Sequence, residues 1–147
     1  MRNSDFEIRR VVFRSPFGWA GVAVSEKGIV MITLPQQSKR AAQQELDSAT
    51  SPLAPALSRE GRGSVKMLEK AAKLLRRYFS GERVLFDLPL DLRYYTRFQQ
   101  AVWKTAAEIP YGETRSYAWI ARRIRNSRAS RAVGQAMGAN PVPIIIP

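Results

Sequence analysis

The stretch TRSYAWIARRIRNSRASRAVGQAMG, Thr114–Gly138, decides how the rest of the chain is read. Tyr117, Ile120, Ala121 and Ile124 fall at i, i+3, i+4 and i+7, the spacing of one packed helical face. Ala129, Ala132, Val133, Ala136 and Met137 repeat that spacing, and only Arg125-Asn126-Ser127 links the two runs. Two short amphipathic helices with a tight connection predict a helix-turn-helix. On the second helix Arg128, Arg131 and Gln135 lie at i, i+3 and i+7 and point outward together. Ser127, Ser130, Gly134 and Gly138 around them are small, and small side chains let a helix sit close to a phosphate backbone. From Tyr111 to Pro147 there are six arginines, no lysine and one acid, Glu113. An ordinary solvated helical hairpin is the alternative. The arginine-only enrichment, the small-residue face and the tight link together favour DNA, without fixing which groove is entered.

Upstream, Thr96 is placed to cap a helix through RFQQAVWKTAAEI, with Phe98, Val102, Ala106 and Ile109 as its apolar stripe. Trp103 lies beside that stripe and reads as core. Pro110-Tyr111-Gly112 ends the segment. Downstream, NPVPIIIP (Asn140–Pro147) reads as a buried strand of three isoleucines entering a turn, with Pro141 and Pro143 restricting φ.

The first half has a different rhythm. Residues 5–34 are rich in β-branched and aromatic side chains. They are punctuated by Ser15-Pro16-Phe17-Gly18 and by the hairpin loop Ser25–Gly28, where Gly28 can take a positive φ. This predicts a three-stranded antiparallel sheet whose apolar face needs a covering helix. Val65, Leu68, Ala72, Leu75 and Phe79 supply one at three- and four-residue steps. Ser64 is a possible N-cap and Gly81 the stop, and the basic opposite face is read as solvated. Residues 36–63 are polar and rich in Ser, Pro and Gly. A short helix over Lys39–Leu46 is expected, then a mobile surface insertion at 47–63. LFDLPLDLRYYT reads as an extended connector. The expected class is α+β: a small antiparallel sheet covered by a helix over residues 1–92, then a helical DNA-binding domain over 93–147.

The chain of 147 residues carries 24 Lys and Arg against 12 Asp and Glu, a net charge of +12. That excess favours a polyanionic partner over a merely soluble basic surface. No run is long enough for a membrane span and Met1–Arg10 lacks a signal-peptide core, so a cytoplasmic protein without a membrane partner is expected. The sequence contains no cysteine and no histidine. Disulfides, Cys/His zinc sites, thiol nucleophiles and imidazole acid–base catalysis are therefore outside the chemistry of these residues. No metal site is expected.

PYGETRSYAWIARRI and SRAVGQAMGANPVPIIIP closely resemble the O6-alkylguanine-DNA alkyltransferases, also called methylated-DNA–protein-cysteine methyltransferases. The resemblance is specific over Phe98–Pro147 and looser over the sheet and the Ser64–Phe79 helix; the insertion at 47–63 has no counterpart in it. It implies a ribonuclease H-like first domain and a winged-helix-like DNA-binding domain acting as a monomer on double-stranded DNA that carries O6-alkylguanine. It implies extrusion of the damaged nucleotide and irreversible transfer of the alkyl group to the protein's own cysteine, without a cofactor. In this family the proline-ended run is followed by Cys-His-Arg, so the acceptor is expected just after Pro147, and the 147 residues alone are expected to bind DNA weakly at most. By the match, Arg131 fills the gap in the base stack from the minor groove and Tyr117 assists near the 3′ phosphate. Asn140 buttresses the turn before the acceptor, with Pro143. Arg128, Ser130 and Gln135 complete the expected DNA face. Two other readings stay open: a non-enzymatic alkyltransferase-like lesion sensor, and a helix-turn-helix regulator using the major groove.

Overall fold

Val22, Ala23 and Val24 follow one another in the sequence and are all fully buried. A strand with three consecutive buried residues has lost solvent on both faces, so it needs a layer on each side. The computed structural model, which describes residues 8–51 and 62–147, supplies both layers. Strands β1 (Arg9–Ser15), β2 (Gly18–Val24) and β3 (Ile29–Gln36) form an antiparallel meander in the order β1-β2-β3. Phe13 pairs with Ala20 and Val12 with Gly21 across the first ladder. Neighbouring positions face opposite ways. Phe13 meets Phe79 of helix α2 (Arg62–Phe79), while a Cβ on Gly21 would lie 3.0 Å from Leu46 of helix α1 (Lys39–Thr50). Helix α2 covers one face as expected, and α1 covers the other.

Turn chemistry sets the register. Gly18 has φ +126°, and a side chain there would run into the Gln36 carbonyl. The second hairpin closes with the Ser25 N–H donating to the Gly28 carbonyl at 2.9 Å. Gly28 also admits the connector, because a Cβ would strike the Pro89 carbonyl. There the Ile29 N–H donates to Pro89 and the Asp91 N–H to Ile29, both at 2.8 Å, and the Ser25 hydroxyl donates to buried Asp91.

Three other expectations change. Helix α1 runs to Thr50 rather than Leu46, because the Thr50 hydroxyl donates to the Leu46 carbonyl at 2.7 Å and accepts from Arg10 Nε at 2.6 Å. The insertion expected at 47–63 therefore begins as helix; its stretch 52–61 lies outside the described residues. Helix α2 starts at Arg62, two residues ahead of Ser64, so Ser64 does not precede the helix as its cap. Val65 is exposed, and Ala71 joins Ala72, Leu75 and Phe79 in the buried stripe. The helix stops as expected at Gly81, φ +92°, with Glu82 N–H to Arg77 carbonyl and Gly81 N–H to Tyr78 carbonyl closing its end.

The chain divides into two compact units between Asp91 and Leu92. The second is helical: α3 (Arg97–Ala107), α4 (Tyr117–Arg123) and α5 (Ser130–Gly138). Thr96 and Gln99 form a reciprocal capping box at the start of α3. Val102, Trp103, Ala106, Ile120, Ala121, Val133 and Ala136 are buried among these helices. Among the described residues no helix is long and apolar enough to cross a membrane.

Candidate nucleic-acid interface

Helix α5 is tied to α3 by one indole. Trp103 is fully buried, donates from Nε1 to the Ala136 carbonyl at 2.9 Å, and packs edge-on against Tyr95 with ring centroids 4.8 Å apart. Burial, and secondarily the neighbouring Tyr94, pushes the Tyr95 phenol up to about 12. Ser116 caps α4 by accepting from the Trp119 N–H at 3.1 Å. Helix α4 ends with Asn126 N–H to Ala121 carbonyl at 2.9 Å and Arg125 N–H to Arg122 carbonyl at 3.0 Å, a Schellman closure. Its left-handed residue, at φ +60°, is Arg125, where glycine is the usual choice.

The link is longer than the three residues expected, running from Ile124 to Ala129, because α5 begins only at Ser130. Arg128 therefore sits in a turn and does not share the helical face of Arg131 and Gln135, which corrects that expectation. Ala129 is the N-cap residue of α5 and makes no side-chain capping bond. Ala132 is exposed, so Val133 and Ala136 carry the buried face. Arg131, Gln135 and Gly138 fall within one outward sector of α5 and are exposed. Ser130 is half-buried at the first position of the helix.

Periodicity places Tyr117 on the packed face of its helix, yet it is 51% exposed. Its ring lies on Gly134, where an added Cβ would sit 3.1 Å from Cε2 and 3.2 Å from Cδ2. Gly134 is three residues beyond Arg131 and hence its neighbour on the helix surface. The phenol and the guanidinium are thus carried on adjoining parts of one surface. The sequence held the signal for this contact, an aromatic on the first helix and a glycine on the second.

Two kinds of arginine occupy this surface. Arg115 pairs with Glu113 and Arg123 with Glu108, each at 2.7 Å, and their guanidiniums lie 5.6 and 5.4 Å from the Trp119 ring. Arg122, Arg125, Arg128 and Arg131 are exposed and have no ion pair among the described residues. Arg131 also occupies the first turn of α5, where the positive end of the helix dipole disfavours a cation.

Beyond α5 the chain is pinned by Asn140, which accepts from the Val142 N–H and donates to the Ile146 carbonyl, both at 2.9 Å. Pro143 pairs with Ile146 through an isolated bridge. The expected isoleucine strand is instead a tight turn: the Ile146 N–H returns to the Val142 carbonyl at 3.0 Å and Ile144 has φ +78°. Ile146 is buried, while Ile144 and Ile145 are half-buried. Among the described residues no cluster of three or more carboxylates could hold a metal ion.

Comparison with known proteins bears on both units. Residues 8–92 match the 6-O-methylguanine DNA methyltransferase ribonuclease-like domain, and residues 97–147 match the 6-O-methylguanine DNA methyltransferase DNA binding domain. A methylated-DNA–protein-cysteine methyltransferase from Mycobacterium bovis is 56% identical over 77 residues, 52% of this chain and 46% of that protein. The aligned chain thus spans about half the length of the curated relatives it matches. The crystal structure of the Mycobacterium tuberculosis O6-methylguanine methyltransferase superposes with TM-score 0.69 at 35% identity, covering 96% of this chain and 76% of that one. A crystal structure of Mycobacterium tuberculosis OGT in complex with DNA superposes with TM-score 0.67 at 36% identity, over 94% and 74% of the two chains.

Proposed function

The chain belongs to the 6-O-methylguanine DNA methyltransferase family, and we propose that it is the DNA-engaging portion of a direct-reversal repair protein. Its ligand is double-stranded DNA carrying O6-alkylguanine. Arg131 enters the duplex and takes the place of the extruded nucleotide. A planar guanidinium can stack between bases and donate to the orphaned partner, which an ammonium cannot do equally well. Tyr117 contacts the backbone beside the extruded nucleotide. Gln135, Ser130 and Arg128 contact the flanking backbone, Arg128 from the turn rather than from the helix. Unstacking costs a few kcal/mol, which backbone contacts must offset. Asn140, with Pro143, holds the turn that aims the next segment at the extruded base.

The proposed chemistry is that of the family to which the chain belongs. Alkyl transfer needs a thiolate, and no cysteine lies in the 147 residues. In the whole protein the acceptor follows Pro147 within a Cys-His-Arg run. Sulfur attacks the O6-alkyl carbon, the carbon–oxygen bond breaks, and guanine leaves with its oxygen electrons and takes up a proton. One alkyl group is removed per protein molecule.

The observation that carries this reading is an exposed guanidinium in the first turn of α5, without an ion pair among the described residues, on the same helix as Gly134 that seats the Tyr117 ring. Two measurements test it. Sequencing past the codon for Pro147 is expected to read Cys-His-Arg. Trp-His-Arg there would make the protein a lesion sensor without transfer. The chain itself is expected to bind a duplex containing O6-methylguanine more tightly than the matched unmodified duplex. Equal affinity for both would contradict lesion recognition.

A further inference from the structure

Helix α2 carries a feature that neither the sheet nor the helix-turn-helix accounts for. Lys66, Lys70, Lys73 and Arg77 follow one another at i, i+4, i+7 and i+11 and are all exposed. At about 100° per residue these four fall within one narrow sector, opposite Ala71, Leu75 and Phe79. The line is about 16 Å long at about 1.5 Å of rise per residue.

A solvated helix face ordinarily mixes signs, because opposite charges three or four residues apart stabilise the helix. Here Lys66/Lys70, Lys70/Lys73 and Lys73/Arg77 are like-charge neighbours, which works against the helix. Glu69, to one side of the line, is the acid of this face among the described residues. Arg77 also pairs with Glu82 at 2.7 Å, and Lys70 Nζ donates to the Asp87 carbonyl at 3.2 Å. Lys66 and Lys73 have no ion pair among the described residues. Three like-charge spacings along the line thus stand against the two opposite-sign ones that Glu69 offers, Lys66/Glu69 and Glu69/Lys73.

We propose that the α2 stripe is a second binding surface for the phosphate backbone of duplex DNA, separate from the helix-turn-helix and indifferent to sequence. This rests on the DNA-binding reading given above. Phosphates on one strand recur about every 3.4 Å along the duplex axis, so a line of this length can face roughly five of them. Three flexible ammonium groups suit that task, since they neutralise charge without demanding the geometry a guanidinium fork requires. The surface contributes affinity and residence on undamaged DNA, and lesion discrimination stays with the other unit.

The test compares the full chain with the triple variant Lys66→Gln, Lys70→Gln, Lys73→Gln. A control, Lys27→Gln, Lys39→Gln, Arg40→Gln, removes the same charge from exposed positions of the same unit away from the stripe. Circular dichroism checks that each variant keeps its helix content. Binding to an unmodified duplex is then followed across salt concentrations. The stripe variant is expected to lower the slope of log affinity against log salt by about two to three and to weaken low-salt binding at least about tenfold. The control is expected to lower the slope by less than about one. A wild-type slope in the stripe variant, an equal loss in the control, or a loss confined to anionic vesicles would overturn the proposal. Absence of salt-dependent duplex binding by the unaltered chain would sink the DNA reading itself, and this surface with it.

Discussion

Positive-φ backbone separates the two units. Among the described residues of the first unit, every such position is a glycine: Gly18, Gly28 and Gly81. In the second, Gly112 shares the distinction with Arg125 at φ +60° and Ile144 at φ +78°. An L-residue in the left-handed region costs about 1–2 kcal/mol that glycine does not. The first unit has thus matched residue to backbone wherever its hairpins and helix stop demand it. The second keeps a long cation and a β-branched residue in the left-handed region, Arg125 in the link leading into α5 and Ile144 in the turn pinned by Asn140. Arg131 in the first turn of α5 adds the same kind of unfavourable placement. Strain and misplaced charge persist where the surrounding packing fixes the geometry, and Trp103 and Asn140 provide that packing here. The contrast fits the proposal that lesion recognition lies in the second unit, where backbone strain is retained.

Substitutions at these positions break or sharpen the contrast. The largest effect is expected in the first unit. Gly18→Ala should cost about 3 kcal/mol, combining left-handed strain with a collision at the Gln36 carbonyl, read as a lower denaturant midpoint. In the second unit the sign should reverse. Arg125→Gly is expected to raise stability by about 1 kcal/mol. The same variant should lower the salt slope of duplex binding by about one, giving up a phosphate contact. A stability gain with no change in slope would leave Arg125 without a role in binding.

The smallest effect concerns pH. The folded chain holds the Tyr95 phenol at about 12 against 10 in the unfolded chain, mainly through burial. Folding then favours the protonated phenol. The resulting stability is fully present below pH 10 and is lost as pH rises from 10 through 12. Tyr95→Phe should make the denaturation midpoint fall less steeply across that interval. Parallel profiles for the two proteins would contradict the assignment to Tyr95.

Much of the fold was legible in the sequence where local chemistry is sufficient. Ser15–Gly18 and Ser25–Gly28 mark the hairpins because turns need glycine, and Gly81 marks the end of α2 for the same reason. Leu68, Ala72, Leu75 and Phe79 mark its stripe because burial imposes helical spacing. What depends on distant partners was hidden. The run of buried residues in β2 looks the same whether one helix or two cover it, and the last turn of α1 is fixed by Thr50 meeting Arg10 from another element. The isoleucine run has strand composition, but Asn140 bonds to Val142 and Ile146 and folds it into a turn.

The site divides in the same way. Arg131 and Gln135 were assigned to a shared outward face from periodicity, and helix α5 carries them on one. Arg128 was extended onto that face by the same arithmetic. It failed because the helix starts at Ser130, and a start without a side-chain cap leaves no mark in the sequence. Arg125 was missed as a left-handed residue because the signal for that backbone is glycine. Gly134 was read as clearance for a phosphate backbone, whereas its open space is occupied by the Tyr117 ring.

The central claim is that the Arg131 guanidinium enters the base stack. It is tested most directly by comparing Arg131→Ala with the unaltered chain on two duplexes, one fully paired and one carrying a mismatched, readily extruded base. The unaltered chain is expected to prefer the mismatched duplex, and the variant to lose this preference while keeping most of its salt-sensitive affinity for paired DNA. An equal loss on both duplexes would make Arg131 an ordinary phosphate contact and contradict the account.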